Sequence, residues 1–136
     1  MSDVAVLGAG MHPWGKWGRP FVSYGVAAAR QALADAGVAW TDVDFVVGGE
    51  TVRNGYGGYV AGATFAQALG WNGARVATSY AACATGAQAI DTARARILAG
   101  LCDVALVVET LYRDDSGERT IWRWKPVVEL GQEADQ

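Results

Sequence analysis

The stretch SYAACATGAQAI, residues 79–90, sets one thiol, Cys83, among alanines, a threonine and a glycine where an apolar strand gives way to a helix. A strand that leads straight into a helix leaves the first-turn N–H groups unpaired at the positive end of the helix dipole. That setting favours the thiolate, the form of cysteine that acts as a nucleophile. Ala81, Ala82 and Ala84 leave room for a carbonyl to approach Cys83. A free cysteine is also among the most buried residue types, so spacing alone leaves Cys83 open between a nucleophile and a small core residue. Cys102 stands after a helix cap and before an all-apolar run, and reads as structural.

Other residues with chemical potential are few. His12 lies in a loop rich in Pro and Trp, where a lone histidine is a packing residue before it is a general base for Cys83. Gly8, Ala9 and Gly10 after an apolar run could open a dinucleotide-binding turn, but Pro13 stands where a third glycine is needed and no acidic residue ends the second strand at the required offset. The Gly-Tyr-rich stretch 54–59 is a connection first and the wall of an acyl pocket second. The two cysteines lack CxxC spacing and histidine neighbours, which argues against a zinc site or a disulfide and for a reducing compartment.

The elements that must position Cys83 follow from periodicity. Residues 4–7 form a β-branched run stopped by Gly8, and predict a first strand. Residues 21–36 carry apolar side chains three and four apart and end at Gly37, which predicts a helix with a left-handed cap. A second strand is expected over 43–47, closed by Gly48 and Gly49, and a second helix over 59–69, closed by Gly70. A third strand follows at 75–78, a long alanine-rich helix at 82–99, and a fourth, wholly apolar strand at 104–108. Within the long helix, Gly86 and the alanines at 84, 87, 89 and 93 predict close packing between layers, with Ile90, Ile97 and Leu98 filling wider gaps. Strands apolar on both faces belong inside a parallel sheet covered by helices. The fold class is therefore α/β, a three-layer α/β/α sandwich.

Composition sets the outer limits. The chain has 136 residues, enough for one domain, with 51% hydrophobic and 18% charged residues. Its 11 basic and 14 acidic residues give a net charge of −3 without a basic cluster, so nucleic acid is not an expected partner. No apolar run approaches the ~20 residues that span a bilayer, and no basic flank precedes the first apolar stretch, so a cytoplasmic protein is expected. Residues 109–136 break the pattern with eleven charges and with Trp122 and Trp124 around Arg123. Residues 121–128 in this tail could form an edge strand, to which Pro126 would confine them.

The run Cys83-Ala84-Thr85-Gly86-Ala87-Gln88-Ala89-Ile90 resembles the nucleophile motif of the thiolase superfamily. VAVLGAGMHPWGKWG and ILAGLCDVALVV are similar to the first strand with its loop and to the segment after the nucleophile helix in the lipid-transfer, or sterol carrier protein X, branch. The likeness covers residues 3–108 in order and spacing. It implies a partial thiolase-like N-terminal domain over residues 1–108, a truncated half fold, followed by a tail over 109–136 that does not match the family. It implies that Cys83 is the nucleophile position, and that a coenzyme A thioester is the substrate without a further cofactor. The reaction implied is acyl transfer or, as in the steroid side-chain degrading aldolases of this branch, carbon–carbon cleavage. Tyr80 stands where thiolases usually carry Asn, which argues against ordinary thiolysis. With the second catalytic half absent, the chain is expected to be inactive alone, and the alternative is a non-catalytic domain that binds a lipid or partner. The resemblance also implies a homodimer through the third strand (Arg75, Val76, Ala77 and Thr78), or a partner that supplies the missing half and covers an exposed apolar side.

Overall fold

The computed structural model describes residues 3–15, 17–52 and 55–111. Helix α1 spans Phe21–Ala36 and ends as its sequence predicts: Gly37 adopts φ 65°, and Val38 N–H turns back to the Leu33 carbonyl. Its buried residues, Phe21, Gly25 and Ala29, repeat every fourth position and so form one stripe against the sheet.

Three parallel strands make the sheet, β1 (Phe45–Glu50), β2 (Arg75–Ser79) and β3 (Ala105–Thr110), in the order β2-β1-β3. Every residue of the central strand β1 is buried. Val46 faces α1 and helix α3 (Ala61–Ala68) in a cluster with Phe21, Ala29, Phe65, Leu106 and Val108. Phe45 and Val47 face the other way, onto Ala89 and Ala93 of helix α4 (Thr85–Leu98) with Cys102. Helices thus cover both faces, and the three-layer α/β/α arrangement is present. The connection from β1 to β2 runs through α3 on one face, and that from β2 to β3 passes β1 through α4 on the other. Two right-handed crossovers running in opposite directions along a sheet require that change of face.

Four expectations are corrected. Residues 4–7 are not a strand. Both edges of β1 are taken by β2 and β3, and the N-terminal segment instead lies along α1, with Gly8 and Gly10 directly against the helix backbone. Ala9 N–H donates to the Asp35 carboxylate and Met11 N–H to Gln31, while Val6 stays 87% exposed. Gly48 and Gly49 do not close β1 but belong to it. A Cβ on Gly48 would run into the backbone of Ala61 and Gly62, and one on Gly49 into the Thr85 side chain, so the pair lets α3 and α4 approach from opposite faces.

The helix expected over 59–69 is two pieces, α2 (Gly55–Tyr59) and α3, separated at Val60 with φ −117°. Finally, Glu109 and Thr110, assigned by composition to the charged tail, are the last residues of β3. The rest of that tail, with the possible edge strand over 121–128, lies outside the described residues.

The packing of α4 also differs in part. Ala89 and Ala93 are buried against the sheet as expected, but Ala84, Ala87, Ile90 and Leu98 are exposed, Ile90 to 58%. Among the described residues, then, α4 is covered on its sheet side only.

Candidate active site

Cys83 stands at the carboxyl end of the sheet. The chain leaves β2 at Ser79 and enters α4 at Thr85, with a single 3-10 turn, Ala82–Ala84, between them. The adjacent strands β1 and β2 send their outgoing chains to opposite faces, and open α/β sheets commonly bind ligands outside the carboxyl ends of such strands. The Cys83 side chain is exposed at that end of the sheet.

The turn is tightly specified. Ala82 has φ 47°, the single non-glycine residue with positive φ among the described residues. A Cβ in the left-handed region costs about 1–2 kcal/mol, and such outliers collect where function requires them. Thr85 holds the turn: its hydroxyl accepts the Ala81 N–H at 3.0 Å and donates to the Ala82 carbonyl at 2.7 Å. Ala84 N–H closes the turn on the Ala81 carbonyl at 2.9 Å. The Thr85 side chain is fully buried, its methyl seated over Gly49 of β1. The strand β1 thereby fixes the threonine, and the threonine fixes the backbone around Cys83.

An acidic side chain, Glu109, also meets this helix end. Glu109, on the same sheet face as Ala105 and Val107, accepts a hydrogen bond from the Thr51 hydroxyl at 2.8 Å and another from the Gly86 N–H. Burial pushes its carboxyl above the ordinary glutamate range, and the two hydrogen bonds offset part of that shift. A Cβ on Gly86 would collide with this carboxylate, which accounts for a glycine in the first turn of α4.

The structure separates the other sequence candidates from Cys83. His12 is held on the α1 side, its Nδ1 2.8 Å from the Pro13 carbonyl oxygen and its ring edge-on to Trp17 and Tyr24, across the sheet from α4. Cys102 is buried at the amino end of the sheet, and burial, followed by the Asp44 carboxylate, pushes its thiol up. Tyr80 is exposed between β2 and the turn. Of the stretch over 54–59, residues 55–59 form α2, and residue 54 lies outside the described residues. Sequence reasoning missed Thr85 as the clamp and Glu109 as a group of this site. Strand alternation would have found Glu109, which shares the parity of Ala105 and Val107. Among the described residues no helix is long and apolar enough to cross a membrane.

Several solved structures are similar to this fold. Acetyl-CoA acetyltransferase from Syntrophomonas wolfei matches with a TM-score of 0.67 at 24% identity, over 75% of this chain and 27% of its own. The priming β-ketosynthase of the R1128 polyketide biosynthetic pathway matches with a TM-score of 0.63 at 30% identity, over 71% of this chain and 28% of its own. The 3-oxoacyl-[acyl-carrier-protein] synthase III of Aquifex aeolicus VF5 matches with a TM-score of 0.60 at 21% identity, over 69% and 30%. The chain spans less than a third of the length of each. No curated protein sequence matches significantly.

The fold is that of the thiolase-like superfamily, with the strand, turn and helix around Cys83, the neighbouring strands and both flanking helix layers present. Within that superfamily, residues 44–110 match the family model of the β-ketoacyl synthase N-terminal domain, a span that begins just before β1 and ends with β3.

Proposed function

We propose that this chain carries the nucleophile of an enzyme acting on acyl thioesters, and that Cys83 is that nucleophile. The observation that carries the reading is the exposed thiol on a strained, threonine-clamped turn between β2 and the N-terminus of α4. The Cys83 sulfur attacks the thioester carbonyl, the bond to the coenzyme A sulfur breaks, and the proton given up by Cys83 leaves with the released thiol. The acyl group remains on Cys83 until a second acceptor takes it. Helix α4 directs its positive end at the place where charge develops on the carbonyl oxygen.

The finer reading is an acyl-coenzyme A substrate handled as in the lipid-transfer branch, by acyl transfer or by carbon–carbon cleavage of a lipid or steroid side chain. It is supported by the sequence likeness around Cys83 and in the segment that feeds β3. Because this chain matches less than a third of the length of each neighbour, we propose that sustained turnover needs groups beyond the described residues. The outer edge of β2, where Arg75 and Thr78 are exposed, is the surface proposed for pairing with a second copy, and light scattering of the purified chain tests it.

The test of the main reading is incubation of the purified chain with an acyl-coenzyme A, followed by intact-mass and peptide mass spectrometry. An acyl adduct on Cys83, absent from Cys83→Ser, is expected. No adduct, together with slow alkylation of Cys83 at neutral pH, would favour a non-catalytic domain that binds a lipid or partner.

A further inference from the structure

The carboxylate of Glu109 lies where a helix offers its N-terminal field. It accepts the Gly86 N–H in the first turn of α4, three residues past Cys83, and is fixed from the β1 side by the Thr51 hydroxyl at 2.8 Å. Neither contact is adventitious. The missing Cβ of Gly86 leaves the space that the carboxylate fills, and the strand register places Glu109 opposite Gly49, whose missing Cβ admits Thr85. One acid, two glycines and two threonines are thus fitted together around one helix end.

An anion near a helix N-terminus is stabilised by the unpaired N–H groups and the dipole, and a second anion at the same end is opposed by the first. We propose that Glu109 is a positioning residue that restrains the nucleophile: its carboxylate already holds the positive end of α4 and withholds that field from the anion that develops at Cys83. The inference rests on the reading of Cys83 as a nucleophile. It adds a control on that nucleophile, under which neutralising or withdrawing Glu109 releases Cys83 to react.

The groups around Glu109 allow this control. Thr51 and the Gly86 amide are the hydrogen-bond donors that contact it, and neither carries charge. From β1, Glu50 is the neighbouring acid, and strand alternation turns it to the opposite, α3 face. From β2 the nearest titratable group along the chain is Tyr80, and from the turn it is Cys83 itself. Asp91, Arg94 and Arg96 lie one and a half turns or more along α4, and Arg96 is engaged over the Phe45 ring, 4.6 Å from its centroid. Half-burial strengthens the effect of the one charge that remains, because water screens it less.

The experiment compares the alkylation of Cys83 by iodoacetamide in the full chain, in Glu109→Gln, in Glu109→Asp and in the remote control Asp103→Asn. Rates are measured at pH 7.5 and across a pH series, with peptide mass spectrometry to separate Cys83 from Cys102 and circular dichroism to confirm folding. Glu109→Gln keeps the shape and one acceptor but removes the charge, and should react about threefold to tenfold faster at pH 7.5, with its rate profile moved to lower pH. Glu109→Asp draws the anion back toward β3 by one methylene and should move the same way by a smaller step. Asp103→Asn should match the wild type.

Equal rates in all four chains, or slower reaction in Glu109→Gln, would overturn the proposal. Should Glu109→Gln fail to fold, an unshifted profile in Glu109→Asp overturns it alone. A change in the limiting rate without a change in the profile marks a purely structural role for Glu109 and also refutes it. Iodoacetamide reads the thiol with no thioester present. A Cys83 that responds to Glu109 but takes no acyl group therefore refutes the acyl-transfer reading and leaves this one standing, and the converse pattern does the opposite.

Discussion

Thr85→Val removes the hydroxyl that ties the Cys83 turn together while keeping the side chain's volume. Two hydrogen bonds are lost, from the Ala81 N–H at 3.0 Å and to the Ala82 carbonyl at 2.7 Å. At a net ~0.5–1.5 kcal/mol each, they sum to about 1–3 kcal/mol. Ala82 is exposed and Ala81 half-buried, so water can replace part of what is lost. Relaxation of Ala82 from φ 47° returns up to about 1 kcal/mol more, which puts the expected net destabilisation near 1–2 kcal/mol. Thr85→Ser provides the contrast. It keeps the clamp but loses the methyl seated over Gly49, at a cost of about 1 kcal/mol. Urea denaturation followed by circular dichroism should therefore find the two variants destabilised to a similar degree. Alkylation of Cys83 should separate them, with Ser close to wild type and Val altered several-fold as the turn relaxes. Val and Ser variants that alkylate alike would refute the claim that the hydroxyl, and not mere packing, holds the Cys83 turn.

Three further outcomes are expected. Gly49→Ala drives a methyl into the Thr85 side chain and should cost about 1–3 kcal/mol in urea denaturation while also disturbing Cys83 alkylation. Asn72→Ala removes a side chain whose amide donates to the Trp40 and Val43 carbonyls and whose oxygen accepts the Ala74 N–H; about 2–3 kcal/mol of stability should be lost with Cys83 reactivity unchanged, because this cluster lies at the amino end of the sheet. The raised Glu109 carboxyl makes the folded chain bind more protons than the unfolded chain between the free-glutamate value of about 4.3 and the folded value, so its contribution is present in full below that window and is lost as pH rises through it. Denaturation midpoints measured across the acid range should show this decline in the wild type and a flatter profile in Glu109→Gln.

The parts of the fold that the sequence revealed are those governed by periodicity and caps. Helix α1 could be placed to the residue because its apolar stripe and Gly37 are local signals. The strands around β1 were found because a run apolar on both faces fits only a covered sheet. What escaped depends on partners distant in sequence. Residues 4–7 carry the composition of a strand, but composition cannot supply the neighbouring strand that pairing needs. Gly48 and Gly49 looked like terminators because their purpose, close approach of α3 and α4, is set by residues 61–62 and 85. Cys83 could be singled out from its motif and is exposed between β2 and α4, whereas Thr85, Ala82 and Glu109 gain meaning only once β1, β3 and the first turn of α4 are brought together.

The two cysteines show how the direction of one helix distributes chemistry along this fold. Helix α4 runs from the carboxyl end of the sheet, where Cys83 precedes its first turn, to the amino end, where Cys102 follows its last. Cys102 sits among Phe45, Ala89 and Ala93 and faces the Asp44 carboxylate, so burial and charge both hold it as a neutral thiol. Cys83 is exposed and meets the opposite pole of the same helix. Around it the chain bears two local costs, the left-handed Ala82 and the half-buried Glu109 carboxylate, each held in place by a threonine hydroxyl. A cysteine serving only as filler would be packed like Cys102. Costs that converge on one exposed thiol, and that single-atom changes at Thr85 and Glu109 can relax separately, are what the proposed role of Cys83 requires.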